Sequence, residues 1–259
     1  TDVTLVGTLR YALSQDRFRL EAQPIVPLNG AVIGPKCELL LRMTDEAGES
    51  VSPEKFFSAA ERYQLAPAID RWVVRRVLQT LKPHAADLGR RGACFAVNIS
   101  GQSVGDAEFC AFLEGALRES GLPASLLSFE LTETAAVANI VRAETLMRRL
   151  RELGFDVALD DFGRGLSSLT YLKTLPVTCL KIDGSFVRDV VGDDRSQAML
   201  SAIVRLAQAM GLTTVAECVE SDQIRDIVRR LGVDLGQGFS LGRPARLEKV
   251  IPALLGATI

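Results

Sequence analysis

The chain has 259 residues, 47% of them hydrophobic and 24% charged, with a formal net charge of −2. A chain this long forms one large domain or two small ones and buries roughly 70–75% of its unfolded surface. The near-neutral charge argues against a general nucleic-acid binder, and no run approaches the roughly 18 apolar residues of a membrane span. No DNA partner and no direct membrane contact are therefore expected, and no signal peptide is read at the start.

The opening residues carry charges at helical spacing and read as a flanking helix. Residues 20–26 and 31–43 read as two strands joined by a hairpin-type turn at Leu28-Asn29-Gly30. Ser52 and Pro53 read as the cap and first residue of a helix. A second helix spans 68–81, and 93–100 is a strand. Helix 106–120 stops at Gly121, strand 125–133 follows, and helix 139–154 leads to strand 156–161. Strand 178–183, helix 195–211, strand 213–218, helix 221–232 and a short strand 233–239 complete the alternation, and a last apolar segment from Leu247 closes it.

Strands this apolar, separated by helices, mark an α/β protein with a parallel sheet buried on both faces. About eight of them in one chain favour a closed (β/α)8 TIM-type barrel over an open doubly wound sheet. The first two strands, joined tightly, are expected to run antiparallel, so the barrel is a modified one. No linker or low-complexity stretch divides residues 1–259, which read as a single domain.

The five cysteines Cys37, Cys94, Cys110, Cys179 and Cys218 are scattered, and none forms a C-x-x-C pair. They read as reduced core cysteines of a cytoplasmic protein. His84 is the only histidine, which leaves too few ligands for a usual zinc site and little room for a Ser-His-Asp mechanism.

In a barrel, functional residues sit at the C-terminal ends of the strands. Here those ends carry Asn98, Glu130, Asp160, Asp161, Lys181, Glu217 and Gln237, where a structural strand would carry Val, Ile or Leu. Glu38, Leu40 and Arg42 share one face of their strand. Singly, each polar residue has an ordinary explanation, such as capping the next helix. Together, Glu38, Glu130, Asp160, Asp161 and Glu217 would repel one another severely without cations. Oxygen ligands without a His/Cys set point to Mg²⁺, Mn²⁺ or Ca²⁺, and their number suits two ions and phosphoryl chemistry. Strand parity turns Asp160 inward, so Asp161 is expected to act from the start of the loop. Glu133 breaks the parity of Glu130 and is expected in a loop, where it can accept backbone N–H groups. The G-x-G pairs in FGRGLSS and GQGFSLG complete no dinucleotide fingerprint and read instead as hinges of mobile loops.

Read together, these motifs resemble the EAL domain family of bacterial cyclic-di-GMP phosphodiesterases. They are QPIV at Gln23, Glu38-Leu39-Leu40-Leu41-Arg42, NIS at Asn98, ELTE at Glu130 to Glu133, DDFG at Asp160, KID at Lys181 to Asp183, AECVE at Glu217, QGF at Gln237 and the Arg243-Pro244 pair. The resemblance implies a barrel with one antiparallel strand and hydrolysis of cyclic-di-GMP to linear pGpG with Mg²⁺ or Mn²⁺, Ca²⁺ being inhibitory. It implies that Glu38, Asn98, Glu130 and Asp160 hold one metal, and that Asp161 with Asp160 serves a second. Lys181 and Glu217 would orient or activate the attacking water, with Glu38 completing the catalytic set. Gln23, Arg42, Gln237 and Asp183 would contact or support the substrate, and Glu133 would hold the loop after Asp161. It further implies a homodimer and a place beside sensor or GGDEF-type domains in a longer chain. Leu39, Arg164, Leu166, Cys218 and Phe239 depart from the family pattern without removing a ligand. Two other readings stay open: a cyclic-di-GMP receptor without turnover, and a Mg²⁺-dependent enolase-like barrel enzyme.

Overall fold

The computed structural model describes residues 2–164 and 169–256. Ten strands form its sheet. They are β1 (Phe18–Pro27), β2 (Lys36–Thr44), β3 (Ser50–Val51), β4 (Cys94–Asn98), β5 (Leu127–Thr132), β6 (Asp156–Phe162), β7 (Cys179–Ile182), β8 (Thr213–Ala216), β9 (Leu235–Gly236) and β10 (Ala245–Arg246). From β2 through β4 to β9 each strand pairs parallel with the next. β1 pairs antiparallel with both β2 and β9 and closes the barrel. β3 and β10 are two-residue additions to β2 and β1. The expected barrel with one antiparallel strand is the fold observed.

Parity explains the layering. Leu39, Leu41, Met43, Phe95, Val97, Phe129, Leu131, Val157 and Leu159 join one core with the surrounding helices. Each such side chain, when fully buried, contributes about 1.5–3 kcal/mol. Phe18 meets Phe56 and Trp72 there, edge-on or tilted. The alternate residues point into the barrel, where Ile25, Val215 and Leu235 form a small separate cluster near its floor.

The helices start and stop where local chemistry dictates. Asp106 accepts hydrogen bonds from the Glu108 and Phe109 N–H groups and opens the helix Ala107–Ser120, which ends on Gly121 at φ +67°. Ser221 caps Asp222–Arg230 in the same way. Ser52 sits at the expected cap of Pro53–Arg62, but its side chain makes no capping bond. Among the described residues no helix is long and apolar enough to cross a membrane.

Two expectations about strands are corrected. The second strand begins at Lys36, not at residue 31, because 28–35 is an extended connection rather than a tight turn. Gly34 passes so close to the Gly92 carbonyl that a side chain there would overlap it. The last barrel strand is only Leu235–Gly236, because Gly238 lies against the Val219 backbone and turns the chain away. Short helices at Ala85–Arg90, Gly101–Gly105, Glu133–Ala138 and Gly184–Arg188 were not read from the sequence.

Candidate active site

The interior residues nearest the C-terminal strand ends meet at one mouth. β2 contributes Glu38, β4 Asn98, β5 Glu130, β6 Asp160 and Asp161, and β7 Lys181. Glu217 and Gln237 each follow the last residue of a strand. Lys181 is fully buried at the centre. Its Nζ lies 2.7 Å from Glu130 Oε2, 3.0 Å from Glu38 Oε2, 3.2 Å from Asp160 Oδ1 and 3.3 Å from Glu217 Oε1. One cation thus faces four carboxylates.

Glu38 is the most heavily bonded of them. Its Oε1 accepts from Asn98 Nδ2 at 2.8 Å, and its Oε2 accepts from Gln237 Nε2 at 2.7 Å. Gln237 also donates to Gln23 Oε1 at 3.2 Å, and Gln23 donates to the Gly242 carbonyl. Asn98, by contrast, is exposed.

Asp161 does not behave as strand parity predicts. It lies inside β6 with φ +52°, where the pairing with β7 shifts register between Leu159 and Phe162. This bulge swings its carboxylate to the side of Asp160. Ligand atoms of Asp160, Asp161 and Glu217 therefore lie within 4.8 Å of one another, and so do those of Glu38, Glu130 and Asp160. Two three-carboxylate groups sharing Asp160 are a donor set that fits two hard divalent cations.

Proton affinities reflect this crowding. Burial pushes Glu130 up to about 8, with Glu38 and Asp160 adding to the shift and Lys181 opposing it. Burial likewise raises Glu217 well above the usual carboxylate range. Burial with Asp160 and Asp183 nearby brings Asp161 to about 6. Burial would raise Glu38 too, but Lys181, Asn98 and Gln237 outweigh it and hold Glu38 below its ordinary value. Burial disfavours the Lys181 ammonium, yet the four carboxylates hold its pKa well above the ordinary one.

The loop after β6 is tied down from β5. Glu133 is not in a loop; it opens the helix Glu133–Ala138, which Thr132 caps. One of its carboxylate oxygens accepts the Gly163 N–H at 2.9 Å, and the other accepts the Tyr171 hydroxyl. Asp183 caps Gly184–Arg188 by accepting the Ser185 N–H, and Arg164 lies 3.8 Å from it and 3.7 Å from Asp161. Leu166 lies outside the described residues.

Arg42 stands apart from the carboxylate cluster. It is four residues farther along the inner face of β2, with its Nε 3.0 Å from Glu21 Oε2. Sequence reasoning missed Glu21, Tyr171 and Asp70. Asp70 is buried in the helix Ala66–Leu81 and accepts the Ser100 N–H at 2.9 Å and the Ser103 hydroxyl at 2.6 Å. A carboxylate on the apolar face of that helical repeat was the available signal.

The family described as the EAL domain matches residues 6–244. The chain belongs to the EAL domain family. It is 37% identical over 245 residues to the cyclic di-GMP phosphodiesterase PdeF of Escherichia coli, covering 95% of this chain and 32% of that protein. It is 35% identical to the cyclic di-GMP phosphodiesterase PdeB of Shewanella oneidensis, covering 91% of this chain and 27% of that protein. This EAL domain thus spans about a third of the length of these curated relatives. Among solved structures, the PaMucR phosphodiesterase in complex with c-di-GMP is 33% identical with a TM-score of 0.86, covering 95% of this chain and 99% of that one. The FimX EAL domain from Pseudomonas aeruginosa bound to c-di-GMP is 29% identical with a TM-score of 0.85, covering 93% of this chain and 96% of that one.

Three of the EAL domain's departures from the common pattern, Leu39, Cys218 and Phe239, supply none of the converging carboxylates. Leu39 faces the helices and is buried in the main core. Cys218 takes φ +56°, a conformation natural to glycine, and accepts a hydrogen bond from Arg188 at 3.1 Å. Phe239 is half exposed, with the Arg243 guanidinium 4.6 Å from its ring centre.

Proposed function

We propose that this EAL domain hydrolyses one phosphodiester of cyclic-di-GMP to linear pGpG with two divalent cations, Mg²⁺ or Mn²⁺. The observation that carries this reading is the convergence of Glu38, Glu130, Asp160 and Glu217 on one buried lysine, with Asp161 beside Asp160 and Glu217. The activity named for its relatives supports it. Glu38, Asn98, Glu130 and Asp160 would hold one cation, and Asp160, Asp161 and Glu217 the other. When bound, the cations lower the pKa of water and supply counter-charge to phosphoryl oxygens.

The chain's own groups supply the rest. Lys181 is a point charge fixed by its carboxylate neighbours, so it can stabilise an anionic nucleophile or the reacting phosphoryl group without reorganising. Glu217 has a strongly raised pKa and can take or return the proton of attacking water. Gln237 and Asn98 fix the rotamer of Glu38. Gln23, Arg42 and Asp183 line the approach of the substrate, and Glu133 holds the strand-end loop. Ca²⁺, larger and less polarising, should occupy the site and inhibit. The same reading makes the domain a cytoplasmic homodimer acting as the catalytic module of a longer signalling protein.

Incubation with cyclic-di-GMP and Mg²⁺ or Mn²⁺, followed by chromatography, should show pGpG, and Glu38→Ala should abolish it. Tight cyclic-di-GMP binding without pGpG under either metal would make the domain a receptor instead. Turnover of a carboxylic acid but not of cyclic-di-GMP would revive the enolase-like reading.

A further inference from the structure

Glu21 belongs to none of the roles assigned so far. Cross-strand register sets Gln23 opposite Glu38, Glu21 opposite Leu40, and Arg19 opposite Arg42. These pairs share the inner face of the β1–β2 ladder, because the alternate residues Phe18, Leu20, Ala22, Leu39 and Leu41 lie in the outer core. At about 3.4 Å per residue, Glu21 stands about 7 Å beyond the level of Glu38 and Arg42 about 14 Å beyond it. The two strands therefore build a wall that rises from the metal-ligating carboxylates.

The wall carries one carboxylate between two guanidinium groups. Arg42 Nε lies 3.0 Å from Glu21 Oε2, and Arg19 Nε lies 3.5 Å from Glu21 Oε1. The Glu21 side chain is 17% exposed. Arg19 Nε is shielded from solvent and makes no hydrogen bond among the described residues. The Gln23 bond to the Gly242 carbonyl holds the turn bearing Phe239 beside this wall.

Guanine has an unusual pattern of edges. N1–H and the N2 amino group donate side by side, while O6 and N7 accept. A carboxylate accepts the first pair in bidentate fashion, and a guanidinium donates to the second. Adenine offers no matching donor pair. A carboxylate flanked by guanidinium groups, about 7 Å beyond the level of Glu38, has the donors and acceptors that guanine requires.

We propose that Glu21, held between Arg19 and Arg42, reads the N1–H and N2 amino edge of one guanine and sets base specificity. This rests on the cyclic-dinucleotide reading above. Glu21 makes the selection, while the reaction itself belongs to the carboxylates below.

The test compares cyclic-di-GMP with its inosine analogue, which lacks only the N2 amino groups. Both ligands are titrated calorimetrically with Ca²⁺ present, and both are assayed for hydrolysis with Mn²⁺. Wild type should prefer the guanine ligand by about tenfold or more. Glu21→Gln and Glu21→Ala should bring that ratio close to one. An unchanged ratio in both variants, or equal weakening of both ligands, overturns the proposal, since Glu21 would then only steady Arg42. Absent hydrolysis with the binding ratio still dependent on Glu21 sinks the phosphodiesterase reading and leaves this one standing. Hydrolysis with a ratio indifferent to Glu21 does the reverse. Binding of neither ligand overturns both.

Discussion

Lys181 Nζ sits 2.7 Å from Glu130 Oε2, deep in the barrel mouth, and pairs with four carboxylates. The metal-free barrel thus carries its own counter-ion. Lys181→Met removes it and leaves the carboxylates facing one another. In chelator the variant should lose about 3–5 kcal/mol, the usual cost of breaking a buried pair. Mn²⁺ should restore most of that loss. With metal present, kcat should fall about 10²–10³-fold at nearly unchanged KM. Thermal melts in chelator and in Mn²⁺, with initial rates, check this; weaker substrate binding at normal kcat would contradict it.

The raised carboxylates give the metal-free protein a defined pH response. Glu130 is pushed up to about 8, so between its ordinary value and 8 the folded protein keeps a proton that the unfolded chain has lost. The associated stability is full below the ordinary carboxylate range and is lost as pH rises through about 8. Metal binding requires the ionised form, so apparent affinity should rise with pH over the same window, up to about tenfold per unit for each displaced proton. Melting in chelator at pH 6 and 9, and calorimetric Mn²⁺ titrations in buffers of different ionisation enthalpy, measure both. A melting point higher at pH 9 than at 6 would sink the assignment.

Asp70 secures the turn that follows Asn98. Asp70→Ala strands the Ser100 N–H and the Ser103 hydroxyl and should cost about 2–4 kcal/mol. Asp70→Asn keeps an acceptor for both and should cost much less. Burial raises the Asp70 pKa, so it favours folding at low pH and loses that contribution as pH rises above the ordinary Asp range. The Asn variant should erase this component of the pH–stability curve. Urea unfolding across pH separates the two variants.

Cys218 and Gly184 are expected to be coupled. A Cβ at Gly184 would overlap the Cys218 Sγ and lie 2.9 Å from its Cβ. Gly184→Ala alone should cost about 1–3 kcal/mol through overpacking. Cys218→Gly should gain about 1 kcal/mol by relieving the left-handed backbone. In the double variant the alanine should be nearly neutral or stabilising. Denaturant unfolding of the four-member cycle tests the non-additivity.

Much of the site was legible because strand alternation is strict. It separated Glu38, Leu40 and Arg42 from Leu39 and Leu41, and it placed Asn98, Glu130, Asp160 and Lys181 at one end of their strands. It failed where backbone geometry departs from alternation. Asp161 was assigned to the loop because a bulge in β6 leaves no mark in residue pattern. The run 31–35 is apolar enough for a strand, yet Gly34 must clear the Gly92 carbonyl. Glu21 was overlooked because it lies near the start of its strand, away from the strand ends where functional residues were sought. Alternation puts it on the face of Gln23, and the register with β2 sets it between Arg19 and Arg42.

The barrel's closure is uneven. β1 aligns with β2 over eight residue pairs, but with β9 only at Val26–Gly236 and Pro27–Leu235. The ring therefore has a seam. Sub-global opening starts where few backbone bonds resist it, so amides along this seam should exchange hydrogen before those of β4 to β7. Gln237 stands directly beyond β9 and bonds both Gln23 and Glu38. Each opening of the seam would loosen one anchor of the Glu38 carboxylate while β4 to β7 stay closed.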